Sequence, residues 1–113
     1  MVQKVVSVNL EYGCPTVAEA LQKMRNTLST LKGQGCRAVI LIHGYGSTGA
    51  GGGIRDGVRK CLSEPSLRGI VRSFFGGEQW EIYKREAFAV CKTLKDYERT
   101  AAGNSGVTVV ILK

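Results

Sequence analysis

The chain has 113 residues, of which 43% are hydrophobic and 22% charged, and its formal net charge is +7. This size and balance predict one globular domain spanning 1–113, with no room for a second domain and no segment polar enough to remain disordered. No apolar run reaches the length of a membrane span, and the opening residues lack the features of a signal peptide. We therefore expect a cytoplasmic protein that has no contact with membranes.

Basic residues are concentrated in the middle of the chain. Residues 23–72 contain nine basic and two acidic side chains, a net charge of +7, whereas residues 1–22 carry −1 and residues 73–113 carry +1. Solvated surfaces usually scatter their charges, and sites for polyanions collect them. This distribution favours nucleic acid, either DNA or RNA, as the partner.

Cysteine and histidine are too sparse for a zinc site. The four cysteines, at 14, 36, 61 and 91, fit neither paired CxxC motifs nor a dense disulfide framework, and the chain has one histidine. We expect reduced, mostly buried thiols and predict no metal ligands from this pattern.

The first half of the chain predicts a strand, a helix and a second strand. Residues 4–10 are rich in β-branched side chains, and Thr16 with Glu19 forms a capping box for a helix that ends at Gly33 and Gly35. One face of this helix carries an apolar stripe: Val17, Leu21, Met24, Leu28 and Leu31. Residues 38–42 are wholly apolar, as in a central strand that is covered on both faces.

The second half begins with the glycine-rich segment 44–53, followed by an amphipathic helix from Ile54 that Pro65 ends. Residues 70–75 predict a third strand, an apolar stripe from Trp80 predicts a third helix reaching about Arg99, and residues 107–112 predict a fourth strand. The order β-α-β-α-β-α-β predicts an α/β fold, a two-layer or three-layer sandwich around a four-stranded mixed or parallel sheet.

A glycine-rich turn between a strand and a helix is a typical site for phosphate. Backbone N–H groups converge there without obstruction by side chains, and the helix dipole adds positive potential. A Walker loop would need lysine and a hydroxyl after its last glycine, but Ala50 follows Gly49. Residues 44–49 do match the dinucleotide fingerprint GxGxxG, for which Glu78 is the only candidate ribose-binding acid, so dinucleotide binding is one alternative. A protein-interaction domain is another.

The segment His43-Gly44-Tyr45-Gly46-Ser47-Thr48-Gly49, followed by Ile54-Arg55, resembles the HGxG(S/T)G motif of the Smr (small MutS-related) family. Residues 10–21, with Glu11 and the Glu19-Ala20-Leu21 triplet, line up without a gap against the family's LDLHG motif and the helix after it. Residues 106–110 are similar to the family's last strand. About 78–99 has no counterpart in the shortest members and is interpreted as an inserted helix.

The resemblance implies a fold similar to the carboxy-terminal domain of bacterial translation initiation factor three, nucleic-acid binding and, in some members, endonuclease activity. It implies that Glu11 and His43 are the catalytic candidates, with Mg²⁺ or Mn²⁺ as a possible cofactor if the protein is a nuclease. Gly13 stands where the family's first motif has histidine, so binding is expected to survive better than cleavage.

The predicted nucleic-acid-binding residues are those of the glycine-rich loop and the helix after it: Gly44, Tyr45, Gly46, Ser47, Thr48, Gly49, Arg55, Arg59 and Lys60. Each has a plainer interpretation. A single histidine at a strand end is often structural, six glycines can form a simple surface loop, and basic residues four apart on a helix are often only solvated.

Overall fold

The computed structural model of the protein describes residues 4–11, 16–44 and 49–113, with side chains described from residue 53 onward in the last range. Its strands are β1 (Val5–Asn9), β2 (Ala38–Ile42), β3 (Val71–Gly76) and β4 (Val107–Leu112). Its helices are α1 (Val17–Gly33), α2 (Gly49–Leu62), α3 (Trp80–Val90) and the short α4 (Glu98–Ala101). The predicted alternation of strands and helices is therefore confirmed.

Helix α1 begins where the capping box predicts. The Thr16 hydroxyl accepts a hydrogen bond from the Glu19 amide at 3.1 Å, and the Glu19 carboxylate accepts one from the Thr16 amide at 3.0 Å. These two bonds satisfy amide groups that have no partner within the helix. Of the predicted stripe, Met24, Leu28 and Leu31 are buried against the sheet.

Helix α2 begins at Gly49, five residues before the predicted start at Ile54, so part of the predicted glycine loop is helical. Glycine disfavours helices by about 1 kcal/mol per residue, and packing against α1 offsets part of this cost. A Cβ atom at Gly53 would lie 2.8 Å from Val17, and one at Gly57 would lie 3.2 Å from Val17 and Leu21. These two glycines therefore allow α2 to approach α1 closely.

The four strands form one mixed sheet in the order β1-β2-β4-β3. β1 runs parallel to β2, while β4 runs antiparallel to both of its neighbours. Helices α1 and α2 cover one face with an apolar core that includes Val39 and Leu41. Helices α3 and α4 contribute to a second core on the other face, around Ile40 and Val109. Of the two predicted arrangements, the structure has the three-layer one.

The third helix is shorter than predicted. Helix α3 ends at Val90, Cys91 has extended backbone angles, and a 3₁₀ segment spans Lys92–Tyr97 before α4. A 3₁₀ turn repeats every three residues, so Cys91 and Leu94 both face the sheet and are fully buried although the α-helix has ended. The apolar stripe in the sequence therefore continues past the helix that it predicts.

Among the described residues, no helix is long and apolar enough to cross a membrane. Cys36, Cys61 and Cys91 are free and buried, as predicted, and burial raises the pKa of each thiol. Cys14 lies outside the described residues.

Candidate nucleic-acid interface

The candidate site lies at one edge of the sheet, which we call the carboxyl edge. In the strand register Asn9 lies beside Ile42, and Ile42 lies beside Val107. At the same edge, β3 ends at Gly76 beside Thr108. The topology therefore brings together the residues that follow β1, β2 and β3.

His43 follows β2 and is fully buried. Its Nδ1 lies 3.0 Å from the Gly44 carbonyl oxygen, and its Nε2 lies 2.7 Å from the Thr108 hydroxyl. A carbonyl only accepts hydrogen bonds, so Nδ1 carries the proton of the neutral ring, and Nε2 accepts from Thr108. Burial lowers the pKa of His43, although the bond to Gly44 opposes this, and the positive charges of Arg59 and Arg55 lower it further. His43 is therefore a neutral side chain with both nitrogens engaged.

Gly44 has a backbone conformation that favours glycine, with φ of 79°. The amides of His43 and Gly44 both donate to the Gly106 carbonyl oxygen, at 2.9 and 3.0 Å. A Cβ atom at Gly44 would overlap the Glu11 carboxylate. The absence of a side chain thus permits both the turn and the close approach of Glu11.

Glu11 is exposed, and its amide donates to the Asn9 side-chain oxygen at 2.8 Å. Its carboxylate lies against Gly44, next in sequence to His43, so the structure brings both predicted catalytic residues to the carboxyl edge. In the described part of the chain, no group of three or more His, Cys, Asp or Glu side chains is arranged to hold a metal ion. Glu11 and a fully hydrogen-bonded His43 do not by themselves fit a Mg²⁺ or Mn²⁺ site.

Arg59 reaches from α2 to the same edge. Its two terminal nitrogens donate to the two Glu78 carboxylate oxygens at 2.7 and 2.8 Å, and its Nε donates to the Thr108 hydroxyl at 3.3 Å. The hydrogen bonds from Arg59 lower the pKa of Glu78. The pair packs against Gly76, where a Cβ atom would collide with both side chains. Arg59 is therefore already paired with a carboxylate.

The other two predicted phosphate ligands on α2 are less constrained. Arg55 has a 30% exposed side chain whose Nε lies 3.7 Å from the Asp56 carboxylate, and Asp56 itself is mostly exposed. Such a pair contributes little energy because water screens it. Lys60 is exposed in the last turn of the helix.

The remaining predicted ligands belong to the glycine-rich segment. Tyr45, Gly46, Ser47 and Thr48 lie outside the described residues, and Gly49 is the first residue of α2. The described site therefore consists of the two ends of the segment.

Sequence analysis overlooked Thr108 and interpreted Glu78 only as an unlikely ribose ligand. Thr108 is the one polar residue in the otherwise apolar run 107–112, and it is fully buried. A polar side chain inside a buried strand indicates a hydrogen-bond partner. The sequence therefore indicated that Thr108 has a hydrogen-bond partner, but it did not indicate which residue that partner is.

The central basic residues do not form one patch. Lys23, whose ammonium donates to the Asn9 carbonyl at 3.2 Å, lies near the carboxyl edge with Arg55 and Arg59. Four others precede or begin strands β2 and β3 and so lie toward the opposite edge: Lys32, Arg37, Arg68 and Arg72. The two edges are about 17 Å apart, at roughly 3.3 Å per residue.

Comparison with known proteins agrees with this architecture. The family model for the Smr domain matches residues 13–81, more than half of the chain. The chain belongs to the Smr domain family. The match includes His43, Gly44 and α2 but not Glu11 or Thr108.

A solved structure, the Smr domain of Thermus thermophilus MutS2, has the same fold. It is 26% identical in sequence, with a TM-score of 0.58, and the alignment covers 97% of this chain and 98% of that one. No curated protein matches the chain. The insertion predicted at about 78–99 relative to the shortest family members stays a prediction.

Proposed function

We propose that this domain binds nucleic acid through backbone phosphates at the carboxyl edge. One observation carries the proposal: in a chain of the Smr family, the buried strand β2 is followed, after His43, by a glycine with positive φ, and helix α2 begins five residues later at Gly49. Glycine-rich segments between a strand and a helix typically offer amide groups to phosphate oxygens, and the helix dipole favours an anion. A nucleic-acid-binding role also suits the cytoplasmic location that the sequence predicts.

The proposed ligands are the segment from Gly44 to Gly49, with Tyr45, Gly46, Ser47 and Thr48, and two basic residues of α2, Arg55 and Lys60. Arg55 is placed first among these, because its charge acts on His43 and, among the described residues, it forms one weak ion pair, with the exposed Asp56. Lys60, exposed in the last turn of α2, is the second proposed contact. Phosphate contacts position a nucleic acid without reading its bases, so we expect selection of structure rather than sequence.

The test is fluorescence anisotropy with labelled duplex DNA, branched DNA and structured RNA across a salt series. We expect Arg55→Gln to weaken binding more than Lys60→Gln, and each lost phosphate contact to reduce the salt slope by about 0.9. Arg99→Gln is the matched control, since it removes the same charge from exposed α4 on the other face of the sheet. Equal effects of Arg55→Gln and Arg99→Gln would contradict the proposed site.

Cleavage is a second candidate function, favoured by the position of the Glu11 carboxylate beside Gly44 and His43. In this second proposal the domain is a structure-selective endonuclease that nicks DNA or RNA. Glu11, exposed to solvent, accepts a proton from water as the water oxygen bonds to phosphorus, the bond from phosphorus to the leaving sugar oxygen breaks, and solvent protonates that oxygen. His43 holds the adjacent backbone. The described residues do not complete a metal site, so no step is assigned to a metal ion.

The cleavage test incubates the tightest ligand with Mg²⁺ or Mn²⁺ and with chelator alone. We expect Glu11→Gln to reduce nicking at least tenfold without weakening binding, because removal of a general base typically costs 10²–10⁴-fold. Glu86→Gln is the control, an exposed carboxylate on α3. Unchanged nicking in Glu11→Gln and in His43→Ala would exclude both residues from the reaction.

Dinucleotide binding is less well supported. Both oxygens of Glu78, the only candidate ribose ligand, accept hydrogen bonds from Arg59. Thermal stabilisation by NAD, with no stabilisation by nucleic acid, would reverse this preference.

A further inference from the structure

A continuous chain of hydrogen bonds joins Glu78 on one side of the site to Gly44 on the other. Glu78 accepts from Arg59, Arg59 donates to Thr108, Thr108 donates to His43, and His43 donates to the Gly44 carbonyl. Of the three inner members, Thr108 and His43 are fully buried. These two groups therefore depend on their neighbours for the orientation of their protons.

This chain of hydrogen bonds fixes one tautomer of His43. With Nδ1–H committed to the Gly44 carbonyl, Nε2 can only accept, and the Thr108 hydroxyl donates its one proton to it, which leaves the hydroxyl oxygen free to accept another hydrogen bond. The Nε–H of Arg59 points at the same hydroxyl oxygen, 3.3 Å away, and the Glu78 carboxylate holds the guanidinium in that orientation. Thr108 therefore accepts from Arg59 and donates to Nε2, which agrees with a proton on Nδ1.

Arg59 has little capacity left for a phosphate. A guanidinium has five N–H groups, and the described residues engage four of them: one at Thr108, two at Glu78 and one, at 3.5 Å, at the Ser105 carbonyl. Bidentate binding of a phosphate needs two free N–H groups on adjacent nitrogens. The negative charge of Glu78 also offsets the positive charge that would attract a polyanion.

We propose that Glu78, Arg59 and Thr108 are positioning residues that hold His43 in one tautomer and thereby fix Gly44, the entry to the glycine-rich segment. Arg59 then acts through His43 and not on the phosphate backbone, unlike Arg55. The effect on nucleic-acid binding rests on the function proposed above, whereas the effect on His43 does not.

The first experiment observes His43 alone. The chain has a single histidine, so ¹⁵N-detected NMR of the imidazole reports one residue, and the wild-type protein should show a neutral ring protonated at Nδ1. Thr108→Val removes the hydroxyl at similar volume and should shift the Nε2 resonance, and Thr108→Ser should restore it. Fluorescence of Trp80, the only tryptophan and fully buried, verifies that each variant is folded. Identical imidazole spectra in the wild type and Thr108→Val would overturn the proposal.

The second experiment tests whether Glu78 positions Arg59 or competes with phosphate for it. The two roles predict opposite changes in nucleic-acid affinity for the Glu78→Gln variant. If Glu78 positions Arg59, Glu78→Gln shifts the His43 resonances and weakens nucleic-acid binding, by roughly tenfold or less for one altered hydrogen bond, with the salt slope unchanged. If Glu78 merely competes with phosphate for Arg59, the same variant binds more tightly and its slope rises by about 0.9. That second result would overturn the proposal. Glu81→Gln is the matched control, because it makes the same charge change three residues away on α3.

Failure of the two proposals can be told apart. A wild-type protein that binds no nucleic acid at low salt would refute the proposed function, and the imidazole spectra would still decide whether the chain of hydrogen bonds fixes His43. Normal binding with a Thr108→Val spectrum like that of the wild type would refute the positioning role alone.

Discussion

Substitution of Gly44 by alanine is expected to destabilise the fold more than the same change at two other glycines with positive φ. Gly35, Gly44 and Gly103 have φ of 82°, 79° and 73°, so alanine costs about 1–2 kcal/mol at each from backbone conformation alone. At Gly35 and Gly103 the new methyl group would meet nothing within 4 Å, whereas at Gly44 it would overlap the Glu11 carboxylate. The extra loss in the free energy of unfolding at Gly44, relative to Gly35 and Gly103, therefore measures the cost of that overlap.

The overlap can be relieved by rotation of Glu11, an exposed side chain, at a cost of about 1 kcal/mol. We therefore expect Gly44→Ala to lower the free energy of unfolding by about 2–3 kcal/mol, and Gly35→Ala and Gly103→Ala by about 1–2 kcal/mol. In a Glu11→Ala background the cost of Gly44→Ala should fall by about 1 kcal/mol, a coupling that a double-mutant cycle detects.

The assay is urea unfolding followed by the emission of Trp80, which reports the core on the α3 face. Additive effects of Gly44→Ala and Glu11→Ala, within about 0.3 kcal/mol, would refute the close approach of Glu11 to Gly44. If Gly44→Ala and Gly35→Ala also lowered the free energy of unfolding equally, the backbone conformation alone would explain the cost at Gly44.

Three further outcomes are expected from the same unfolding assay. Gly57→Leu should destabilise the protein by about 1–3 kcal/mol, because a larger side chain would push α2 away from Leu21 of α1. An unchanged stability would refute the close packing of α2 on α1 at Gly57. Thr16→Ala should lower the free energy of unfolding by about 1 kcal/mol, because it removes the hydroxyl that forms the capping box with Glu19. Thr16→Ser, which keeps the hydroxyl, is the conservative control. The pKa of His43 is lowered in the folded state, so below about pH 6.5 the unfolded chain binds a proton that the folded protein excludes. Wild-type stability should fall as the pH decreases from 6.5 toward 5, and the stability of His43→Gln should change less over that window.

The fold was predictable where a pattern depends only on local composition. Strands β2 and β4 have the predicted bounds, because each is an apolar run, interrupted in β4 by Thr108 alone, that is flanked on both sides by glycine or a polar residue. The early start of α2 was not predictable in the same way. Glycine propensity argues against a helix over residues 49–53, and only the packing of Gly53 and Gly57 on α1, a tertiary contact, gives these glycines a role there.

The candidate site was predictable as a location and less so as a set of contacts. The motifs placed Glu11 and His43 at strand ends, and in the structure the parallel pairing of β1 with β2 brings these two ends to the same edge of the sheet. Thr108 and Glu78 become partners of Arg59 only because β4 lies between β2 and β3. The sequence does not state the strand order, so it did not indicate that Arg59 would be neutralised.

The same topology changes what the net charge means for binding. A polyanion bound at the proposed site would contact Arg55, with Lys60 and Lys23 as further candidates, while four of the basic residues lie toward the opposite edge and Glu78 offsets Arg59. Two or three phosphate contacts correspond to a salt slope of about 2–3, far below the value of about 6 that the full +7 would give. A slope near 6 would mean that the nucleic acid also covers the opposite edge, and Arg37→Gln and Arg68→Gln would then weaken binding as much as Arg55→Gln does. A slope near 2 restricts the contact to the carboxyl edge, where the amides of the glycine-rich segment must supply the remaining affinity.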